Sequence, residues 1–350
     1  MAALVTISCR FQLDRALSPG QIRGQVVIQP SPGAPTTPVS GAIIAMEDSS
    51  IAVRSDDRGM FVIGGLPPST YTLDVTALQS GSLLGLRLSN LALQPSAVAP
   101  EPALDLGEIP VSAAGGISGT VTVGGTAVTG AVVAMPGFGT TRTQAGAYAF
   151  SNCLPGDFSL GAVYATVGES LVAPAEPVKV RSRQVTAVPP IDLNPTASAA
   201  TTGGIQGQVL LQGGVGAVRI TVQLAGTATS LKTDDNGNYQ ATNVASGVYT
   251  LAASAPGYLT AVVPAIIVGG TALTIVPTIT LGQVSNNISG TGPDGGPPQQ
   301  LAQLGNQASH SANFAAVTST SGPAPLEQSS HYFFFPTGLV RVASPAENSP

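Results

Sequence analysis

Few side chains in this sequence are placed to do chemistry. Of its 350 residues only two are histidines, His310 and His331, and two are cysteines, Cys9 and Cys153. An active site needs its groups on rigid elements, and both histidines fall in the C-terminal arm. A Ser-His-Asp arrangement therefore has no scaffold there. The cysteines lack metal-ligand spacing and are too few for a disulfide framework. A Cys9–Cys153 bridge, within or between chains, is one reading; two free buried thiols is the other, and it is the one taken. Asp234-Asp235-Asn236-Gly237-Asn238 has the composition of a calcium loop. It lacks the alternating acids and the bidentate Glu that such a loop requires, so it reads as a tight turn. An intramolecular Lys–Asn isopeptide needs a lysine on an early strand, and neither Lys179 nor Lys232 is there. No catalytic, cofactor-binding or metal-ligating residue is assigned, and the expectation is a protein that is not an enzyme.

Composition narrows the class further. Charged residues make up 9% of the chain, against roughly a quarter in an average soluble protein. The 42 glycines and 29 prolines punctuate the chain too often for long helices. The 43% apolar share, nearly all aliphatic and without tryptophan, is enough for several small cores. Net charge is −5, and the 13 basic residues are scattered, which argues against nucleic acid as a partner. Weak surface charge suits packing against other copies. Met1 to Cys9 is apolar but lacks the basic start of a secretory leader. The charge-free stretch 259–293 is cut by Pro264, Gly269, Gly270 and Pro277, so no membrane span is expected. The expected location is extracellular, at a cell surface or in a virion, by an export route the N-terminus does not show.

Three blocks recur three times. Gly20-Gln-Ile-Arg-Gly-Gln-Val26 returns as Gly115-Gly-Ile-Ser-Gly-Thr-Val121 and as Gly203-Gly-Ile-Gln-Gly-Gln-Val209. The alternation around Ile22, Ile117 and Ile205 is that of a half-buried strand. A polar turn with glycine then leads to an aromatic: Asp56-Asp57-Arg58-Gly59-Met60-Phe61, Gln144-Ala145-Gly146-Ala147-Tyr148 and Asp234-Asp235-Asn236-Gly237-Asn238-Tyr239. The third block runs Leu66 to Leu73, Leu154 to Leu160 and Val244 to Leu251. Phe61 to Tyr71, Tyr148 to Phe158 and Tyr239 to Tyr249 are each ten residues apart. Fixed spacing beside turn glycines predicts core packing for these aromatics rather than a sugar-stacking stripe. Each copy closes on a further alternating strand, near 104–109, 188–193 and 275–281. Frequent turns between short strands predict β-sandwiches.

These blocks resemble the carboxypeptidase regulatory-like domain, a transthyretin-like sandwich. The carrying pattern is G-x-I-x-G-x-V, then T/S-D-x-x-G-x-[YF], then L-P-x-G-x-[YF]-x-L, over residues 20–281. The resemblance implies a fold and a non-catalytic spacer or binding role. Peptidase chemistry would need a zinc site, and neither histidine is followed by an acid within three positions. The expected architecture is all-β: three tandem Ig-like or transthyretin-like sandwiches (18–112, 113–195 and 202–282), an extra N-terminal strand (1–17) and an extended, low-complexity arm (283–350). Short linkers, 113–116 and 194–204, predict an end-to-end rod.

The ends are the oddities. Val5, Ile7, Cys9, Phe11 and Leu13 alternate with polar residues and have no equivalent in copies two and three. They pair with their own first module or with a neighbouring subunit. Near the C-terminus, Tyr332, Phe333, Phe334 and Phe335 precede Leu339 and Val340 in an aromatic strand on an otherwise polar arm. Such a segment must dock, on its own modules or on another chain. Val5, Ile7, Phe11, Tyr332, Phe333, Phe334, Phe335, Leu339 and Val340 are the candidate inter-subunit contacts. The expected function is that of a structural subunit of an extracellular or virion-like assembly, partnered by itself or by other subunits. The alternative is an adhesin that binds protein or glycan through its loops, although nothing in the residues points to glycan.

Overall fold

The computed structural model describes residues 20–29, 33–94, 103–166, 169–193, 202–214, 219–269 and 273–284, with the backbone of 315–317, 331–335 and 338–342. Module 1 comprises β1 (Gly20–Ile28), β2 (Thr37–Pro38), β3 (Ile43–Met46), β4 (Ala52–Arg54), β5 (Met60–Leu66), β6 (Ser69–Gln79), β7 (Ser82–Leu93), β8 (Ala103–Pro110) and β9 (Ser112–Ala113). Module 2 comprises β10 (Gly115–Val123), β11 (Thr126–Ala127), β12 (Val132–Met135), β13 (Gly139–Arg142), β14 (Ala147–Cys153), β15 (Gly156–Thr166), β16 (Glu169–Val180), β17 (Val185–Ala187) and β18 (Ile191–Asp192). Module 3 comprises β19 (Thr202–Leu211), β20 (Thr221–Leu224), β21 (Ser230–Lys232), β22 (Asn238–Ala245), β23 (Gly247–Ser254), β24 (Ala261–Val268), β25 (Leu273–Ile275) and β26 (Ile279–Leu281).

Each module is a sandwich built the same way. The first repeated block is the central strand of one sheet. It pairs antiparallel with the aromatic strand on one side and parallel with the closing strand on the other: β5–β1–β8, then β14–β10 with β17 and β18, then β22–β19 with β25 and β26. The second sheets run β4-β3-β6-β7-β9, β13-β12-β15-β16 and β21-β20-β23-β24. The closing strand is continuous in module 1. In modules 2 and 3 it breaks at Pro189-Pro190 and at Pro277, because proline supplies no N–H to the ladder.

Period-two alternation sends one face of each aromatic strand inward. Three separate cores result, centred on Ile22, Ile117 and Ile205, all fully buried. Each such aliphatic side chain contributes roughly 1.5–3 kcal/mol by leaving water. A buried hydroxyl fastens the open end of the edge hairpin of the second sheet in every module. Ser55, Thr143 and Thr233 accept hydrogen bonds from the backbone N–H of Ala42, Ala131 and Ile220 at 2.9, 3.0 and 2.9 Å.

One expectation about organisation is corrected. Within the short first linker Ser112–Ala113 is strand β9, paired with β7, and Gly115 already begins β10. The modules do not run end to end as a rod: they touch one another in all three pairings. Gly85 of module 1 lies against Leu154 of module 2; Gly65 of module 1 meets Gln212 and Gly213 of module 3; and Gly161 of module 2 lies against Ile267 of module 3, as Gly269 of module 3 does against Val172 of module 2. A side chain at Gly85, Gly161 or Gly269 would collide with its neighbour across the interface.

Beyond module 3, β27 (Ala315–Val317), β28 (His331–Phe335) and β29 (Gly338–Val342) form a separate three-stranded antiparallel sheet. The expected single aromatic strand is therefore a hairpin. Phe333 stands opposite Val340 and Phe334 opposite Leu339, and part of the arm itself supplies the third strand.

Candidate interaction surfaces

The acidic turn of module 3 is occupied by its own backbone. Asp234 Oδ1 accepts from the N–H groups of Asn236 and Asn238 at 2.9 and 2.8 Å, and Asn238 Nδ2 donates to Oδ2 at 3.2 Å. These bonds, that from the Asn238 N–H foremost, hold the Asp234 carboxyl below its ordinary value. Asp56 makes the same two Oδ1 bonds in module 1. In module 2, where Gln144 replaces the acid, Ala145 and Gly146 both take positive φ (47° and 81°) and close a tighter turn. The turn reading stands, and among the described residues no group of acids, histidines or cysteines could hold a metal ion.

The repeated aromatics line cores, as expected. Phe61, Tyr148 and Tyr239 are 3–4% exposed, and each stands directly opposite the second glycine of the first block: Gly24, Gly119 and Gly207. The ring lies across the glycine, so a Cβ there would meet Tyr148 or Tyr239 ring atoms at 2.9 Å or less. Tyr71 and Tyr249 donate to the carbonyls of Pro67 and Ala245, four residues back, at 2.5 and 2.8 Å. Cys153 is fully buried in the second core as a free thiol, which burial pushes up to about 12. Cys9 lies outside the described residues.

The most concentrated charge in the described structure sits where the modules meet. In β7, Arg87 faces Asp74 across the β6–β7 hairpin, and Nη1 donates to both carboxylate oxygens at 3.1 and 3.0 Å. Nη2 pairs with Glu47 in the β3–β4 turn, and the side chains of Arg87, Asp74 and Glu47 are 6, 2 and 13% exposed. Module 2 completes the site. Arg87 donates its N–H to Pro155 O at 2.8 Å and its Nε–H to Asp157 O at 3.1 Å, and its guanidinium lies 4.4 Å from the Phe158 ring centre. Gly137 of module 2 crowds against Glu47. Module 3 docks on the same turn: Thr280 N–H donates to Asp48 O at 3.1 Å, Ser50 N–H to Thr280 O at 3.3 Å and Gly282 N–H to Ser50 Oγ at 2.8 Å. Burial is the largest influence on both acids, and the neighbouring carboxylates add to it; together they push Asp74 up to about 7 and Asp48 up to about 8, against the pull of Arg87.

Sequence reasoning missed this junction, although a signal existed. Leu73-Asp74-Val75 and Leu86-Arg87-Leu88 each put one charge in an apolar run, and a hairpin turning at Ser80-Gly81 aligns the two.

The nine candidate contacts fall partly within and partly outside the described residues. Val5, Ile7 and Phe11 lie outside the described residues. Tyr332, Phe333, Phe334 and Phe335 belong to β28, and Leu339 and Val340 to β29, as backbone positions of the separate sheet. β1 is paired on both sides, with β5 through Gly20–Gln25 and with β8 through Gln21–Val27. The outer side of β8 is an edge of the first sheet of module 1. Among the described residues no helix is long and apolar enough to cross a membrane.

Residues 204–282 match the carboxypeptidase regulatory-like domain family. No curated protein is similar to the sequence. Among solved structures, GBS52, the minor pilin of Streptococcus agalactiae, is 11% identical over 51% of this chain and 97% of its own, with a TM-score of 0.28. BcpA, the major pilin subunit of Bacillus cereus, is 10% identical over 76% of this chain and 99% of its own, at 0.20. The Bacillus anthracis TIE protein is 14% identical over 76% of this chain, at 0.22, and this chain spans 51% of its length. Scores this low carry no argument about function.

Proposed function

We propose, proceeding from a third module that is a carboxypeptidase regulatory-like domain, that the chain is a non-catalytic structural subunit of an extracellular assembly. The observation that carries this reading is the contrast between body and ends. Three sandwiches contact one another in all three pairings, while β27–β29 form a sheet of their own; the alternating run Val5 to Leu13, a strand by its sequence pattern, is read as the second joining segment. A body already closed on itself has its ends free to join subunits. Exposed sheet edges such as β8 accept strands from other chains, and head-to-tail contacts between identical subunits build open polymers unless the geometry closes. The low charge of the chain fits dense packing of copies.

Negative-stain electron microscopy of the purified full-length chain, with light scattering on the same sample, tests the reading. Filaments or layers are expected. A monodisperse particle of one chain's mass would overturn it.

A second reading, a binding module, has one feature in its favour. On module 3 a shallow depression of about 500 Å³ is lined by Gln206, Gln208, Asn238 and Gln240 beside the exposed Ile275. Such a row of amides beside an aliphatic surface could hold a neutral glycan. Saturable binding of a soluble oligosaccharide, lost in Gln206→Ala/Gln240→Ala, is the result that would favour it.

A further inference from the structure

Independently of the assembly reading, we infer that the module junction is a pH-responsive clamp, in which three carboxyl groups near one guanidinium must hold two protons between them for modules 2 and 3 to stay seated on module 1. Charge arithmetic sets the problem. Glu47, Asp48 and Asp74 carry −3 when all are ionised and Arg87 carries +1, leaving −2 in a site whose central side chains are nearly sealed from water. Such an excess is costly in a low-dielectric interior and is relieved by proton uptake. With two protons held among the three acids the cluster is neutral. Among the described residues no other cation shares the site. The Lys179 ammonium pairs with Asp157 at 3.5 Å on the exposed side of β15, where both side chains are more than 60% exposed. From module 3 the facing titratable group is Tyr239, and from module 1 itself Tyr71 stands beside Thr280; both phenols are pushed up by burial and stay neutral.

The geometry makes the protonation state matter between modules. The same Arg87 that balances the acids binds Pro155 O, Asp157 O and the Phe158 ring of module 2. The same turn that carries Glu47 and Asp48 receives Thr280 and Gly282 of module 3. Carboxylates that repel one another can separate only by moving that turn or β7, and either motion disturbs an interface. The sign follows from Asp74 and Asp48, raised to about 7 and about 8. The folded chain holds protons that the unfolded chain gives up near pH 4. The stabilisation is whole below that value and is lost as pH rises through 7 and 8. Each proton released costs the folding equilibrium up to about tenfold per pH unit.

The test is scanning calorimetry of the full-length chain from pH 5 to 9.5, beside Asp48→Asn, Asp74→Asn and the double variant. The expected result is a midpoint that falls for the native chain from pH 5 to about 8 and levels off above it, with the single transition splitting as modules uncouple, and a flatter profile in each variant. Histidine titration in the tail is common to all four proteins and cancels. Parallel profiles for native chain and variants would overturn the clamp, as would a native midpoint that rises across this range. Should the double variant not fold, the single Asp48→Asn chain decides by the same comparison. Amide hydrogen exchange at 154–158 and 280–282 supplies the second readout. Protection there should drop at pH 9 in the native chain, after correction for intrinsic rates, and hold in Asp48→Asn.

Discussion

Tyr148 and Tyr239 lie over Gly119 and Gly207 with phenol hydroxyls that are buried and find no hydrogen-bond partner among the described residues; Phe61 takes the same place over Gly24 without one. Burying an unmatched hydroxyl costs free energy that removing it recovers. Tyr239→Phe and Tyr148→Phe are therefore expected to leave stability unchanged or raise it by up to about 1 kcal/mol in urea unfolding. Gly207→Ala drives a methyl group into the Tyr239 ring and should cost about 1–3 kcal/mol. Asp234 gives a prediction of the opposite pH sense from the clamp. Its carboxyl is depressed by turn hydrogen bonds, so its contribution is present above the unfolded value near pH 4 and is lost as pH falls through the lower folded one. Asp234→Ala should lower the unfolding midpoint at neutral pH and remove that acid sensitivity. Millimolar calcium should leave the midpoint of the native chain where it was.

At the scale of strands, the repeated blocks were legible because each states its own physics locally. Alternation around Ile22, Ile117 and Ile205 marks the central strands, and a turn glycine marks each hairpin. The pairing of closing strands parallel to the first was not legible, since parallel partners are joined through a whole module and share no turn. The junction escaped for a related reason: Arg87 draws on Glu47, Asp74 and Asp157, which come from three different elements and carry no periodicity. Removing one partner exposes the dependence. Arg87→Leu leaves Asp74 and Glu47 buried without a counter-charge and should destabilise by about 3–5 kcal/mol, read by denaturant unfolding. Much of that loss should be recovered when Asp74→Leu is added, because the pair is then replaced by apolar contact.

For the whole molecule, the expected rod gave way to modules packed against one another because linker length limits only reach, and the fit depends on bare glycine faces such as Gly85, Gly161 and Gly269. Module 3 is fastened up to Val284, whose N–H donates to Gly257 O at 3.0 Å. Deleting residues 285–350 should therefore leave the far-ultraviolet spectrum and the unfolding midpoint of the body nearly unchanged while abolishing assembly. Assembly of the shortened chain would take the C-terminal arm out of the subunit contacts.

The lateral closure also imposes a birth order. Arg87 meets Asp74 as soon as its hairpin forms, but Asp157 is 70 residues further along the chain, a delay of roughly 4–14 s at ordinary synthesis rates. Ser50 must wait for Gly282, 232 residues later. Through most of translation the first module thus shows the ribosome's surroundings two unfinished faces, one charged and one of bare backbone. Chaperones have that interval in which to attend to it. The last seal to form, between Ser50 and Gly282, reports that all three modules have been made.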